Sequence, residues 1–188
     1  AHTIILYGSR ADDTANEQSD IDIACFTDAT CPSRDARMFE GTYLDAWLYP
    51  TSTLNSADKN FIHMRDGVCL IDEKGLGKSF LEKLGEIFAK GPEQQSAEDT
   101  THTKMWVAKT LERAKQRDPE ANYRRVWLVF ELLSFYFQLR NKWFLGPKKS
   151  FAWLKENDPE AYGLFSELYG APQDFALLEK VSDYVLEV

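Results

Sequence analysis

The sequence predicts an α+β protein in which a small mixed β-sheet with flanking helices comes first and an all-helical bundle follows. Short strand-like apolar runs occur only up to residue 71. Residues 91–100 contain Gly and Pro but no large apolar side chain, which is typical of a linker. After this stretch only helical periodicity remains. We therefore expect two domains, over residues 1–92 and 99–188.

The first domain is predicted to contain four strands and two helices. The strands are expected at 3–7, 20–26, 41–49 and 67–71, and the helices at 51–65 and 79–90. Residues 8–19 are interpreted as a loop. Residues 29–40 are polar, and Pro32 and Ser33 indicate the start of a short helix there.

The second domain is predicted to be a bundle of five helices. Asp118 and Asp158 precede Pro119 and Pro159, an arrangement typical of a helix N-cap followed by proline in the first turn. The second helix is apolar nearly all round, so we expect it at the centre of the bundle. The predicted helices span about 100–117, 119–142, 148–156, 158–169 and 172–187.

Composition limits the classes of function that are expected for this chain. The chain has 188 residues, of which 44% are hydrophobic and 28% charged, with a net charge of −8 and no apolar run of membrane-spanning length. Residues 1–95 carry −7 of that charge, and no basic stripe is present, which argues against long nucleic acid as a substrate. The three cysteines suggest neither a disulfide framework nor a zinc site, so a cytoplasmic location is expected.

Two aspartates at alternate positions mark the second predicted strand. Asp20 and Asp22 should lie on one face, with Ile21 and Ile23 turned the other way into a core. Carboxylates held so close repel each other unless a cation lies between them. Oxygen ligands of this kind suit Mg²⁺, which binds one or two carboxylates together with substrate phosphates.

A Gly-Ser pair ends the first predicted strand. Gly8 permits close backbone approach, and Ser9 and Arg10 offer donors to phosphate oxygens. Taken separately, these residues fit a simple turn, and the aspartates fit a solvated strand face. Their occurrence together favours a site for a metal and a nucleotide.

Asp45 is a lone charge in the apolar strand predicted at 41–49. A half-exposed edge position is one explanation. A third metal-binding carboxylate is the better explanation if this strand lies beside Asp20 and Asp22.

Residues 75–79 resemble a phosphate-binding loop in part. That motif requires Gly at the position of Asp72, so we reject this interpretation.

Glu131 interrupts the second helix of the second domain, which is otherwise nearly apolar all round. Such a residue either forms an ion pair, with Arg124 or Arg125 as the nearest candidates, or faces the active-site cleft. Both interpretations remain open on the sequence alone.

The spacing of Gly8-Ser9, ten residues, Asp20-Ile21-Asp22 and a later strand with Asp45 resembles the DNA polymerase beta-like nucleotidyltransferase superfamily. It is closest in pattern to the minimal and aminoglycoside nucleotidyltransferase branch. The tail around residues 143–149 and 153–154 is similar to the C-terminal bundles of aminoglycoside nucleotidyltransferases.

This resemblance implies that Asp20 and Asp22 bind two Mg²⁺ ions. Asp45 would bind the ion nearer the acceptor and orient or deprotonate its hydroxyl. Gly8 and Ser9 would hold the β- and γ-phosphates. The remaining implied residues are Arg10 as a further phosphate contact, Glu131 as an acceptor-side base, and Lys148 and Lys149 as phosphate contacts.

The predicted function is therefore Mg²⁺-dependent transfer of a nucleoside monophosphate from an NTP, with ATP favoured, to a hydroxyl of a small molecule such as an aminoglycoside-like antibiotic. No membrane or long nucleic acid is expected as a partner, and a homodimer is left open. One alternative is an antitoxin-like protein that nucleotidylates a partner protein. Another is a catalytically inactive nucleotide-binding module.

Overall fold

The computed structural model describes residues 1–12, 14–28, 30–116 and 118–188. It divides into two compact units, Ala1–Lys90 and Gly91–Val188, which we call the head unit and the helical unit. The predicted α+β class, with a mixed sheet followed by helices, is confirmed. Among the described helices, none combines the length and apolar character that a membrane crossing requires.

The head unit is built on a five-stranded sheet in the order β3-β4-β2-β1-β5. Strands β2 and β4 run parallel, whereas β1 pairs antiparallel with both β2 and β5, and β3 pairs antiparallel with β4. The strands are β1 Thr3–Tyr7, β2 Ile21–Thr27, β3 Ser33–Phe39, β4 Thr42–Pro50 and β5 Val68–Asp72.

Strand β3 corrects the predicted helix start near Pro32 and Ser33. Within the predicted segment 29–40, Ala29 lies outside the described residues, and residues 33–39 form an edge strand. Glu40 and Gly41 connect β3 to β4 with φ values of 48° and 83°. A two-residue connection with both φ angles positive matches the twist of a β-hairpin. The weak apolar alternation of the strand concealed this hairpin.

The core of the head unit lies on the aspartate side of the sheet, contrary to expectation. Ile21 and Ile23 are only half-buried, whereas Ala24 and Phe26, which share a face with Asp22, are fully buried. Helical segments pack on that face, so its side chains are buried among apolar residues. The core residues are Ile5, Tyr7, Ala24, Phe26, Leu54, Met64, Phe80 and Leu84.

The predicted helix over 51–65 is instead two short 3₁₀ helices, Thr51–Asn55 and Lys59–Met64. Helix α1 spans Leu76–Lys90 and begins three residues before the predicted position. The Asp72 carboxylate accepts the amide hydrogens of Gly77 at 2.9 Å and Lys78 at 3.0 Å. A carboxylate thus occupies the helix N-terminus, in agreement with the rejection of a phosphate-binding loop.

The described residues of the helical unit form five α-helices, close to the predicted bounds. The Asp118 and Asp158 side chains accept the amide hydrogens of Ala121 and Ala161 at 2.8 Å and 2.9 Å, as N-caps do. Arg117, at the predicted end of the first helix, lies outside the described residues. The helices are α2 Ala97–Arg113, α3 Pro119–Leu139, α4 Pro147–Asn157, α5 Pro159–Gly170 and α6 Phe175–Leu186.

Helix α3 packs against α2, α5 and α6, but it is not buried all round. Leu128, Leu132 and Tyr136 are in the core, whereas the side chains of Val126 and Phe130 are 71% and 75% exposed. These contacts agree with the expectation that this helix is at the centre of the bundle, although part of its apolar surface is exposed. One apolar side of α3 remains open to solvent.

Asp158 joins three elements of the helical unit. Besides capping α5, its carboxylate accepts the hydroxyl hydrogens of Tyr136 at 2.6 Å and Tyr184 at 3.0 Å. Burial on its own would raise the pKa of Asp158, but the bonds from the Ala161 amide and both tyrosines lower it below its ordinary value. The ionised carboxylate therefore stabilises the contact between α3, α5 and α6.

We predict that Asp158→Ala lowers the free energy of unfolding by about 2–3 kcal/mol, because a helix cap and charge-assisted hydrogen bonds are lost together. Urea unfolding measures this loss, with Asp183→Ala, an exposed site on α6, as the control. The folded-state pKa is depressed, so the stabilisation is present above the unfolded-state value of about 3.9 and is lost as pH falls through the folded-state pKa. This role would be contradicted if both variants lost the same free energy of unfolding. It would also be contradicted if the difference in stability between wild type and Asp158→Ala stayed the same at acidic pH.

Candidate active site

The parallel pairing of β2 and β4 brings Asp22 and Asp45 side by side. Their Cα atoms are register partners, so the two side chains lie on the same face of the sheet. Tyr7 is the register partner of Asp22 on the opposite neighbour, β1. The condition set for Asp45, that its strand lies beside the first two aspartates, is thus met. Whether it binds a metal stays a prediction.

Asp22 is at the centre of the acidic cluster. Burial raises its pKa first, and the nearby charges of Asp20 and Asp45 raise it further. Carboxylates near a partly desolvated carboxyl group favour either proton uptake by that group or a bound cation. This is the electrostatic property that the strand spacing predicts.

Gly8 brings the backbone directly against Asp22. It follows β1 with φ of +71° and begins the 3₁₀ turn Gly8–Arg10. A Cβ atom at this position would overlap Asp22 Oδ2 and lie 3.3 Å from its Cγ. Only glycine combines this backbone conformation with this approach. Ser9, the next residue in the turn, is half-buried.

Arg10 fixes the start of β2. Its Nε donates to the carbonyl oxygens of Ser19 and Asp20, each at 3.1 Å, and its second guanidinium nitrogen donates to Ser19 at 2.7 Å. These bonds close the loop between β1 and β2 and set the backbone position of Asp20. In this structure Arg10 positions the acidic cluster, and its phosphate contact stays a prediction.

Asp45 is engaged by Arg34 from the edge strand β3. The guanidinium donates two hydrogen bonds to the carboxylate, at 2.6 Å and 2.7 Å, and lies over the Trp47 ring at 5.1 Å. The hydrogen bond from Arg34 holds the pKa of Asp45 below its ordinary value. Asp45 is therefore ionised, but its oxygens face a guanidinium.

Sequence reasoning missed Arg34 and Tyr7. Arg34 lies on the strand that was not predicted, and the Glu40–Gly41 hairpin signal would have placed it opposite β4. Tyr7 was treated only as the end of an apolar run. Burial and the adjacent Asp22 raise the pKa of its hydroxyl, which stays protonated beside the acidic cluster.

Asp20 and Asp22 fit the known preference of Mg²⁺ for one or two carboxylates completed by substrate phosphates. Within the described ranges, no group of three or more His, Cys, Asp or Glu side chains is placed to hold a metal ion. Asp45 could complete such a group only by exchanging its Arg34 partner. Mg²⁺ binding by all three aspartates therefore stays a prediction, and it requires that ion pair to open.

The remaining predicted site residues belong to the helical unit. The ion pair proposed for Glu131 is wrong, because Arg124 pairs with Glu120 and Arg125 donates to the Ala114 carbonyl at 2.8 Å. Glu131 instead lines a cavity of its own unit. Lys148 and Lys149 lie in the first turn of α4, and their phosphate contacts stay predictions.

Comparison with known proteins supports the resemblance of the head. Residues 1–72 match the model of the family described as Polymerase beta, Nucleotidyltransferase, which confirms the predicted superfamily over this segment. This segment ends with β5 and contains the acidic cluster together with Gly8 and Arg34. The head unit thus contains a nucleotidyltransferase-type domain, which supports a general function in nucleoside monophosphate transfer.

One solved structure covers nearly the whole chain. A nucleotidyltransferase-like protein from Exiguobacterium sibiricum 255-15 aligns with 99% of this chain and 68% of its own, at 14% identity and a TM-score of 0.46. This similarity is too low to transfer a function. No curated protein matches the chain.

We predict that Gly8→Ala destabilises the head unit more than Gly75→Ala does. Both glycines have positive φ, +71° and +67°, so each alanine incurs about 1 kcal/mol of backbone strain. A Cβ atom at position 8 would also overlap the Asp22 carboxylate, whereas a Cβ atom at position 75 would meet no other atom within 4 Å. Hydrogen exchange of the β1 and β2 amides under increasing urea measures the difference, and equal protection in both variants would contradict the close approach.

Proposed function

We propose that the chain is a Mg²⁺-dependent nucleotidyltransferase that moves a nucleoside monophosphate from an NTP, with ATP favoured, to a hydroxyl of a small molecule. The observation that carries this proposal is the register pairing of Asp22 with Asp45 beside the Gly8 turn. The family match over residues 1–72 supports it. A cytoplasmic location fits an enzyme that uses ATP and has three free cysteines.

The reaction forms one bond and breaks one. The acceptor hydroxyl oxygen attacks the α-phosphorus, the bond from that phosphorus to the bridging oxygen breaks, and pyrophosphate leaves with the electron pair. Bound Mg²⁺ supplies charge neutralisation for the attacking and leaving oxygens. Asp20 and Asp22 would hold two such ions, and the Gly8 and Ser9 backbone would approach the β- and γ-phosphates.

Asp45 is the group suited to accept the proton of the acceptor hydroxyl. It is ionised and lies beside Asp22, as a base for this step requires. In the structure Arg34 occupies its oxygens, so the guanidinium must move aside before Asp45 can act. Arg34 would give up the Asp45 oxygens to a metal ion that arrives with the substrate. Substrate binding would in this way complete the active site.

The acceptor is proposed to be a small molecule, of the aminoglycoside-like antibiotic class that the resemblance implies. The excess of acidic residues in the first half of the chain suits a cationic acceptor. Lys148 and Lys149 remain proposed phosphate contacts, whereas Glu131 lines a cavity within the helical unit. Pyrophosphate release with labelled ATP, Mg²⁺ and a panel of hydroxyl acceptors tests the proposal, and no release with any acceptor would count strongly against it.

We predict that Asp22→Asn removes Mg²⁺-dependent binding of a non-hydrolysable ATP analogue and lowers transfer at least about 100-fold, because the charge at the centre of the cluster is lost. Calorimetry and pyrophosphate release measure the two effects. Glu86→Gln, an exposed carboxylate on α1, is the matched control and should bind normally. Undiminished metal-dependent binding by the Asp22 variant would refute its assignment as a ligand.

We predict that Arg34→Gln tightens divalent-metal binding about two- to fivefold, because an exposed ion pair no longer competes for Asp45. Mn²⁺ titration followed by electron paramagnetic resonance measures the dissociation constant. Arg37→Gln removes the neighbouring arginine of β3, which pairs with Asp35 instead, and should leave the affinity unchanged. Weaker binding in the Arg34 variant would show that this arginine supports the metal site and does not compete with it.

A further inference from the structure

The helical unit contains a cavity of about 420 Å³ between α3, α4 and α5. This volume lies within the range of small-molecule sites. The lining is mainly apolar and includes four aromatic rings, with Glu131 as its one ionisable acidic side chain among the described residues. The side chains that matter for the argument are Phe130, Glu131, Ser134, Phe144, Phe151 and Tyr169.

The inner wall of the cavity is fixed by ring contacts. Phe151 meets Tyr169 edge to face at 5.7 Å between ring centroids, and Tyr169 stacks on Phe165 at 6.1 Å. The Tyr169 hydroxyl donates to the Val129 carbonyl at 3.2 Å. These contacts hold the aromatic surfaces in place without a ligand, so binding requires little reorganisation.

Two further rings are accessible from solvent. Phe130 is 75% exposed and Phe144 is 41% exposed. Side chains of this size gain free energy when apolar surface covers them. A ligand in the cavity could cover both rings while it contacts Phe151 and Tyr169.

Glu131 adds a negative charge to this apolar lining. Neither of the two arginines considered as its partners contacts it, because Arg124 pairs with Glu120 and Arg125 donates to the Ala114 carbonyl, and no other ion pair or hydrogen bond of Glu131 occurs among the described residues. A carboxylate beside aromatic faces is the combination that binds organic cations, because the ring faces and the carboxylate attract the same positive charge.

We propose that this cavity binds an organic ammonium ion that carries an apolar substituent. The ammonium group lies near Glu131 and the ring faces, and the substituent fills the space between Phe130, Phe144 and Phe151. A polyhydroxylated polycation fits poorly, because Glu131 and Ser134 are the main polar groups of the lining and cannot satisfy many hydroxyls. The proposal concerns the helical unit alone and holds whether or not the head unit transfers nucleotides.

Calorimetry of the full chain with benzyltrimethylammonium tests the proposal. We expect one site per chain with a dissociation constant of about 0.1–1 mM, weakened about fivefold to tenfold by Glu131→Gln. Glu156→Gln, an exposed carboxylate of α4 that does not line the cavity, should bind like the wild type. Methyl NMR signals of Leu133, which lines the cavity, should shift on binding.

A pair of soluble probes separates charge from shape. Choline and 3,3-dimethylbutan-1-ol have nearly the same shape, but only choline is charged, so choline should bind more tightly to the wild type and lose this advantage in Glu131→Gln. Equal binding of the two probes would overturn the ammonium assignment. Absence of benzyltrimethylammonium binding, or Leu133 signals that do not shift, would overturn the site itself. None of these outcomes depends on nucleotidyl transfer.

Discussion

Two carboxylates, Asp22 and Asp45, lie side by side on parallel strands, and much of the head unit is arranged around their mutual repulsion. Parallel register forces them onto the same face of the sheet, and burial raises the energy of both charges. Arg34 neutralises one of them from the edge strand. The hairpin between β3 and β4 therefore does more than extend the sheet, since it places the Arg34 cation against the Asp45 carboxylate.

The loop between β1 and β2 meets the same constraint by close backbone approach. Gly8 brings the main chain against the Asp22 carboxylate, and Arg10 fixes the carbonyl end of the loop at Ser19 and Asp20. Gly8 acts at the β1 end of this loop, and Arg10 holds its β2 end. Together they place the acidic cluster beside a glycine turn. The carboxylates repel a phosphate at this turn unless a cation lies between the two.

The sequence predicted the fold class and the placement of these aspartates on one side of neighbouring strands, but it missed one strand and the side of the sheet that carries the core. The alternation of Asp20 and Asp22 and the lone charge of Asp45 are local signals, and side-chain alternation carries them directly into the sheet. Strand β3 was missed because its only strong signal lies in the Glu40–Gly41 turn. The core side was assigned wrongly because Ile21 and Ile23 are apolar, yet the side of the sheet that helices cover depends on distant segments such as α1.

The helical unit contains two carboxylates in contrasting states. Asp158 receives hydrogen bonds from an amide and two tyrosines, and these bonds account fully for its position in the fold. Glu131 lies on the long helix α3 without such bonds among the described residues, and it lines the aromatic cavity of the unit. Helix propensity cannot explain it, because many apolar residues would suit that position equally well. A carboxylate that has no such partner and lies beside aromatic rings suits the positively charged ligand proposed for this cavity.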